Sequence, residues 1–127
     1  MRIDYSPRSR EVCLTATKAE FSELTKKYLL SKSIIPCPET ELKIKPPYEN
    51  FLNGVIIQQT KDKLTTIQIV ENNFLEISGA VSSLEIFSDN LKTLSENPDW
   101  VHLHIEYYPE HPYLSEESLP IVLVVQE

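Results

Sequence analysis

Apolar and polar residues alternate along several short stretches of this chain, and such alternation is typical of β-strands that bury one face. In residues 11–16 the inner face of the predicted strand carries Val12, Leu14 and Ala16. The last predicted strand, residues 121–126, begins with the continuous apolar run IVLVV, which predicts a central or fully covered strand. Further strands are predicted in the opening residues to Tyr5 and over residues 55–60, 64–71, 73–78 and 101–107.

Apolar residues at helical spacing follow two capping-box patterns, so the sequence predicts two α-helices. The first box is Thr17 with Glu20, and its helix runs to about Ser31. The second is Ser82 with Glu85, and its helix runs to about Glu96 before Asn97, Pro98 and Asp99 end it. The inner stripes of the two helices are Phe21, Leu24, Tyr28 and Leu29 in the first and Leu84, Phe87, Leu91 and Leu94 in the second.

The stretch between Ser31 and Asn53 is rich in proline, which indicates a connection rather than a packed element. Its one candidate strand is ELKIK, residues 41–45, whose lysines would discourage pairing at a sheet edge. The three strands over residues 55–78 are joined by the polar turns KDK and ENN, which predicts an antiparallel meander. The two strand–helix units, residues 12–30 and 74–94, match at an offset of 63 residues. Three apolar matches are too few to indicate a repeat.

These elements predict one α+β domain over residues 1–127, with a single, mainly antiparallel β-sheet and two α-helices packed on one of its faces. The other face of such a sheet is left for solvent or a partner. At 127 residues the chain is long enough to bury a core without disulfides. Cys13 and Cys37 lie in separate contexts, and we expect both to be buried as small apolar residues.

Composition excludes several classes of protein. There are only two glycines, so no phosphate-binding loop or dinucleotide-binding turn can be formed. We find no apolar run of signal-peptide or membrane-spanning length, and we expect a cytoplasmic protein that does not bind membranes. No serine lies on a glycine-bounded elbow, so no catalytic residue and no cofactor are predicted.

The charges are divided unevenly along the chain. Residues 1–63 carry eleven Lys or Arg and eight Asp or Glu, whereas residues 64–127 carry one lysine, Lys92, and eleven acids. An acidic half repels nucleic acid and attracts basic surfaces, which favours a cationic protein as the partner. A basic patch with interleaved aromatic residues, as nucleic-acid binding requires, is missing.

The segment VHLHIEYYPEH, residues 101–111, contains the most specific local pattern. A strand would place His102, His104 and Glu106 on one face, which resembles a set of metal ligands with His111 as a fourth group after the loop turns. Alternate residues on a strand lie about 6.6 Å apart, so three in a line surround an ion poorly. We therefore predict no metal ligands here and interpret the strand as a polar face that contacts a partner.

The tyrosines and acids that follow this strand form a second candidate surface, because exposed aromatic residues are favoured at recognition sites. Trp100 lies just before the strand. Together the two features predict a partner-binding surface made of His102, His104, Glu106, Tyr108, Glu110, Tyr113, Glu116 and Glu117.

Residues 74–125 also resemble a known family, immunity protein 32 of bacterial polymorphic-toxin systems. The resemblance rests on FLEISGAVSSLEIFSDNLKTL (Phe74–Leu94), on the HLH strand (His102–His104) and on the continuation YYPEHPYLSEESLPIVL. It implies a small cytoplasmic α+β protein without enzymatic activity that binds a cognate toxin domain and blocks it. The acidic half suggests that this toxin is basic.

Two other functions are left open by the sequence. One is a metal-binding domain or small metal-dependent enzyme built on His102 and His104. The other is a homodimeric structural module that pairs its sheet faces or sheet edges.

Overall fold

The strand pairing of the computed structural model gives two β-sheets, so the expectation of a single sheet was wrong. The model describes residues 1–37, 50–61 and 63–126, and the predicted strand over residues 41–45 lies outside them. The strands are β1 (Arg2–Ser6), β2 (Glu11–Ala16), β3 (Lys32–Pro36), β4 (Asn50–Phe51), β5 (Gly54–Gln59), β6 (Thr66–Val70), β7 (Phe74–Gly79), β8 (His102–Ile105) and β9 (Ile121–Val125). The first sheet has the order β4-β1-β2-β9-β8 and the second the order β3-β5-β7-β6.

The meander predicted for residues 55–78 was also wrong, although its strands exist. β6 pairs antiparallel with β7, but β5 lies on the other side of β7 and runs parallel to it. β2 and β9 form the second parallel pair. Strands that follow each other in the chain need not pair with each other. Here β5 and β6 are joined by a short turn, but β5 pairs with β7 instead of β6. β9 lies between β2 and β8, as its continuous apolar sequence predicted.

Two α-helices follow β2 and β7: α1 (Lys18–Leu24) and α2 (Val81–Glu96). The capping box at Thr17 is confirmed, since Thr17 Oγ1 accepts from the Glu20 amide while the Glu20 carboxylate accepts from the Thr17 amide. The hydrogen bond from the Thr17 backbone amide lowers the pKa of the Glu20 carboxyl group. The capping box predicted at Ser82 was wrong, because α2 begins after Ala80 without a side-chain cap.

The first helix is shorter than the prediction to Ser31. It ends at Leu24 and is followed by a separate 3₁₀ helix, Lys27–Leu29. Leu29 is 65% exposed, so it does not belong to the buried stripe.

The helices pack against each other, and their buried side chains join those of both sheets in one hydrophobic core. Phe21 of α1 and Leu84, Leu91 and Leu94 of α2 are almost fully buried. Cys13 and Cys37 are buried, as predicted. The architecture is therefore α+β, with two sheets and two helices that contribute side chains to one hydrophobic core.

The two halves of the chain repeat the same arrangement, although the sequence match at an offset of 63 looked too weak to indicate it. β1-β2-α1-β3-β5 corresponds to β6-β7-α2-β8-β9, and each sheet combines two strands of each repeat, with β4 as an extra edge strand of the first sheet. The registers agree as well: Arg2 pairs with Thr15 as Thr66 pairs with Ser78. Even the left-handed residue before the second strand is repeated, at Arg10 (φ 58°) and Asn73 (φ 58°).

Candidate functional site

β8 lies at the edge of the first sheet and presents its histidines to solvent. Because side chains alternate along a strand, Leu103 and Ile105 point toward the core while His102 and His104 point away from it. Ile105 is 5% exposed, and both histidines are exposed. The two imidazole rings meet edge to face, with centroids 5.9 Å apart. The alternation predicted from the sequence is thus the one observed.

Among the described residues, the outer face of this sheet is most exposed at β8. The row that continues from His104 across the sheet is Val122, Cys13 and Asp4. All three of these residues are buried, and burial raises the pKa of Asp4 despite its ion pair with Arg2. The polar surface available to a partner is therefore a sheet edge, not the broad open face that a single-sheet fold would have left.

The turn before β8 is fixed by Lys18 from α1. Its Nζ donates to the carbonyl oxygens of Leu94 at 3.0 Å, Asn97 at 2.7 Å and Trp100 at 3.2 Å. A cation bound at the C-terminal end of a helix is favoured by the helix dipole. No local pattern in the chain indicates this long-range contact. It holds Trp100 and Val101, which are 41% and 57% exposed, at the entrance to the strand.

After β8 the chain forms a rigid corner built on His111. Its Nδ1 accepts hydrogen bonds from the amides of Tyr113 (3.2 Å) and Leu114 (3.0 Å). Its ring also contacts those of Tyr108 and Tyr113, each at a centroid distance of 4.6 Å. Partial burial lowers the pKa of His111. Because Nδ1 already accepts hydrogen bonds from two backbone amides, it is not available to bind another group. His111 is therefore a structural residue of the loop.

The structure places Tyr113 in the core instead of on the recognition surface. Its side chain is 4% exposed, packs edge to face on Phe87, and accepts a hydrogen bond from the Asn90 amide. Burial raises its pKa to about 12. The aromatic spacing could not distinguish this ring from the exposed Tyr108, because both lie in the same polar, proline-rich loop.

The segment that follows is held against β6 by hydroxyl groups and backbone. Thr65 donates its amide to the Tyr113 carbonyl and accepts the Ser115 amide, both at 2.8 Å. Ser118 Oγ accepts the Ile67 amide at 3.0 Å, and Thr65 Oγ1 bonds Ser83. These contacts order the acidic loop and leave Glu116 and Glu117 exposed.

The acids of the C-terminal segment are all on the surface. Residues 93–126 contain no Lys or Arg, and each of their six carboxylates is exposed: Glu96, Asp99, Glu106, Glu110, Glu116 and Glu117. They do not form one cluster. Glu116 and Glu117 line a hollow with Arg10, whereas Asp99 lines the hollow that contains His102 and His104. The surface proposed from the sequence is therefore divided, and its part around β8 runs from Trp100 through Glu106 to Tyr108 and Glu110.

The chemistry available at these residues is limited. Among residues 1–37, 50–61 and 63–126, no group of three or more His, Cys, Asp or Glu side chains is arranged to hold a metal ion. Both cysteines are buried, and burial raises the pKa of the Cys37 thiol, so it stays protonated near neutral pH. What the geometry offers is an edge strand flanked by exposed aromatic rings and carboxylates.

Residues 75–126 match the model of a protein family described as Immunity protein 32, which confirms the resemblance seen in the sequence. The match begins inside β7, spans α2, β8 and β9, and includes every residue of the candidate partner-binding surface. No curated protein and no solved structure matches the chain. Within the part of the chain that the structure describes, no helix is long and apolar enough to cross a membrane.

Proposed function

We propose that the protein neutralises a toxin domain in the bacterial cytoplasm by binding to it, without chemistry of its own. The match of residues 75–126 to the Immunity protein 32 family carries this proposal. An immunity function of this kind needs only a surface complementary to the toxin. The candidate for this surface is β8 with the loop that follows it, and both lie within the matched residues.

The toxin domain is proposed to be basic. Residues 93–126 combine six exposed carboxylates with an absence of Lys and Arg. Lys18 approaches the turn before β8, but its ammonium group is bound to three backbone carbonyls. Complementary charge raises the association rate and suppresses wrong partners, and both effects help an inhibitor that competes with the toxin's own target.

The experiment is co-expression with the toxin domain encoded beside this protein's gene. We expect the protein to restore growth and to form a complex that purifies intact. Wild-type affinity should fall with rising salt, because exposed charges are screened within about 10 Å at 0.1 M ionic strength. Growth arrest that persists at equal expression, together with no complex at low salt, would contradict the proposal.

A pair of charge variants tests the location of the surface. Glu106→Gln with Glu110→Gln removes two carboxylates beside β8, and each exposed ion pair contributes about 0.2–1 kcal/mol. We expect a weakening of about 2- to 30-fold at low salt, mainly through slower association. The control, Glu23→Gln with Glu71→Gln, removes two exposed carboxylates outside the acidic segment and should leave the affinity within about twofold. Equal effects of the two pairs would place the acidic contribution elsewhere.

A further inference from the structure

The internal repeat provides each sheet with one equivalent edge strand, β3 in one sheet and β8 in the other. Ile35 pairs with Val55 as Ile105 pairs with Ile121, so the two edges can be compared residue by residue. Ile34 corresponds to His104, and Lys32 to His102. The comparison shows which edge is protected from further pairing.

The backbone amide and carbonyl groups of His102 and His104 point away from the neighbouring strand β9, toward the open side of the edge strand. The Val125 amide donates to the Val101 carbonyl at 2.8 Å, and in an antiparallel pair the bonded residues alternate. The amide and carbonyl of residues 101, 103 and 105 therefore face β9, while those of His102 and His104 face outward. At β3 the Gln59 amide donates to the Ser31 carbonyl, so residues 31, 33 and 35 face β5. The backbone groups of Lys32, Ile34 and Pro36 therefore face outward, as those of His102 and His104 do.

The residues of β3 disfavour pairing with an added strand, whereas the residues of β8 do not. Pro36 has no amide hydrogen to donate at an outward position, and exposed Lys32 would have to be covered by an added strand. Proline and lysine are the residues with which natural sheets prevent edge pairing. The equivalent strand β8 contains neither residue. Trp100 at its start and Tyr108 beyond its end are 41% and 54% exposed, and both rings are available to pack on an added strand.

We propose that β8 receives an extended segment of the toxin domain as an additional strand of the first sheet, and that this segment carries Lys or Arg. This inference rests on the proposed function and specifies its binding mode. Backbone hydrogen bonds to His102 and His104 supply affinity in such an arrangement, and side chains on alternate positions supply specificity. Asp99 and Glu106, at the two ends of β8, face the charged residues of the added strand.

A second copy of the chain is a poorer occupant of the edge. Two β8 strands would bring together the exposed carboxylates that flank each strand, Asp99 and Glu106, with no Lys or Arg in residues 93–126 to offset them. Like charges in such an arrangement are destabilising. A basic segment meets the same carboxylates with opposite charge.

The direct test is amide hydrogen exchange measured by NMR, for this protein alone and in complex with an inactive variant of the toxin domain encoded beside its gene. In the complex we expect exchange at the His102 and His104 amides to slow by about 100-fold or more. The Ile34 amide on the equivalent edge serves as an internal control and should not change. Unchanged exchange at His102 and His104 in a stable complex would overturn the inference and leave the proposed function intact.

Two other outcomes are informative in the same experiment. Slow exchange at both histidine amides in the protein alone, together with a dimeric mass, would mean that a second copy occupies the edge, and the inference would be wrong. If no complex forms at all, the proposed function fails and the binding mode fails with it.

Proline substitution provides a matched set of variants. His104→Pro removes the imidazole and the outward amide hydrogen, whereas His104→Val removes the imidazole alone. We expect at least tenfold weaker binding for His104→Pro than for His104→Val, as loss of a backbone hydrogen bond in a closed interface predicts. Ile34→Pro removes the equivalent amide hydrogen of β3 and should leave affinity within about twofold of wild type. Equal affinities for the two His104 variants would refute backbone pairing.

Discussion

Lys18 connects the stability of the fold to the position of the candidate site, and Lys18→Met is the sharpest test of that connection. Methionine keeps most of the apolar stem but removes the ammonium group that binds the carbonyls of Leu94, Asn97 and Trp100. Leu94 is fully buried, so its carbonyl loses a partner that water replaces poorly. The variant should therefore unfold more easily and loosen the turn before β8.

The expected loss can be estimated from these contacts. A hydrogen bond to a charged group contributes about 1.5–3 kcal/mol, and a cation at a helix C-terminus about 0.3–1 kcal/mol. One of the three bonds is exposed, and freeing the long side chain recovers about 1.5–2 kcal/mol of conformational entropy. We expect a net loss of about 2 kcal/mol. With an unfolding entropy of about 2.1 cal/mol/K per residue, this lowers the Tm of the 127-residue chain by about 7 °C.

The assay is urea denaturation followed by circular dichroism and by tryptophan fluorescence. Trp100 is the only tryptophan, so its emission reports on the turn that Lys18 holds. The control is Lys92→Met, which removes an exposed lysine from α2 and should change stability by less than about 0.5 kcal/mol. If the two variants have equal stability and equal native emission, the three carbonyl contacts do not contribute as described.

Two further substitutions test the packing around the loop. Gly79→Ala would place a Cβ atom 2.9 Å from Thr65 Cα, so we expect a loss of about 2 kcal/mol in urea denaturation, against less than about 0.5 kcal/mol for Ser78→Ala; equal losses would contradict the steric reason. The raised pKa of Tyr113 means that the folded state holds this proton up to about pH 12, whereas the unfolded chain releases it near pH 10. The contribution of Tyr113 to the free energy of unfolding should therefore decrease as pH rises from about 10 to about 12. Tyr113→Phe lacks this contribution, so its free energy of unfolding should decline less steeply over this range. Identical pH profiles would show that Tyr113 titrates normally.

The candidate site was predicted in part. The alternation of residues 101–107 was enough to place His102 and His104 on one side of a strand, because side-chain direction in a strand depends only on position. The burial of Tyr113 was missed, since it depends on Phe87 and Asn90 of α2, which lie more than 20 residues away. Lys18 was missed for the same reason: its three partners lie 76 to 82 residues further along the chain.

The sequence by itself determined what local interactions control. The first capping box, the inner stripes of the helices, the continuous apolar character of β9 and the similarity to an immunity family can all be found in short stretches of the chain. Periodicity and capping act over a few residues, so they are visible without knowledge of the fold.

Only the tertiary structure decided how the strands are combined. The separation into two sheets, the parallel pairs β2–β9 and β5–β7, and the exchange of strands between the two halves depend on contacts between distant segments. Any amphipathic strand has the same alternating pattern whichever neighbour it pairs with, so the pattern cannot select its partner. The position of β8 at the edge of its sheet, among the residues that the structure describes, is a consequence of this non-local choice.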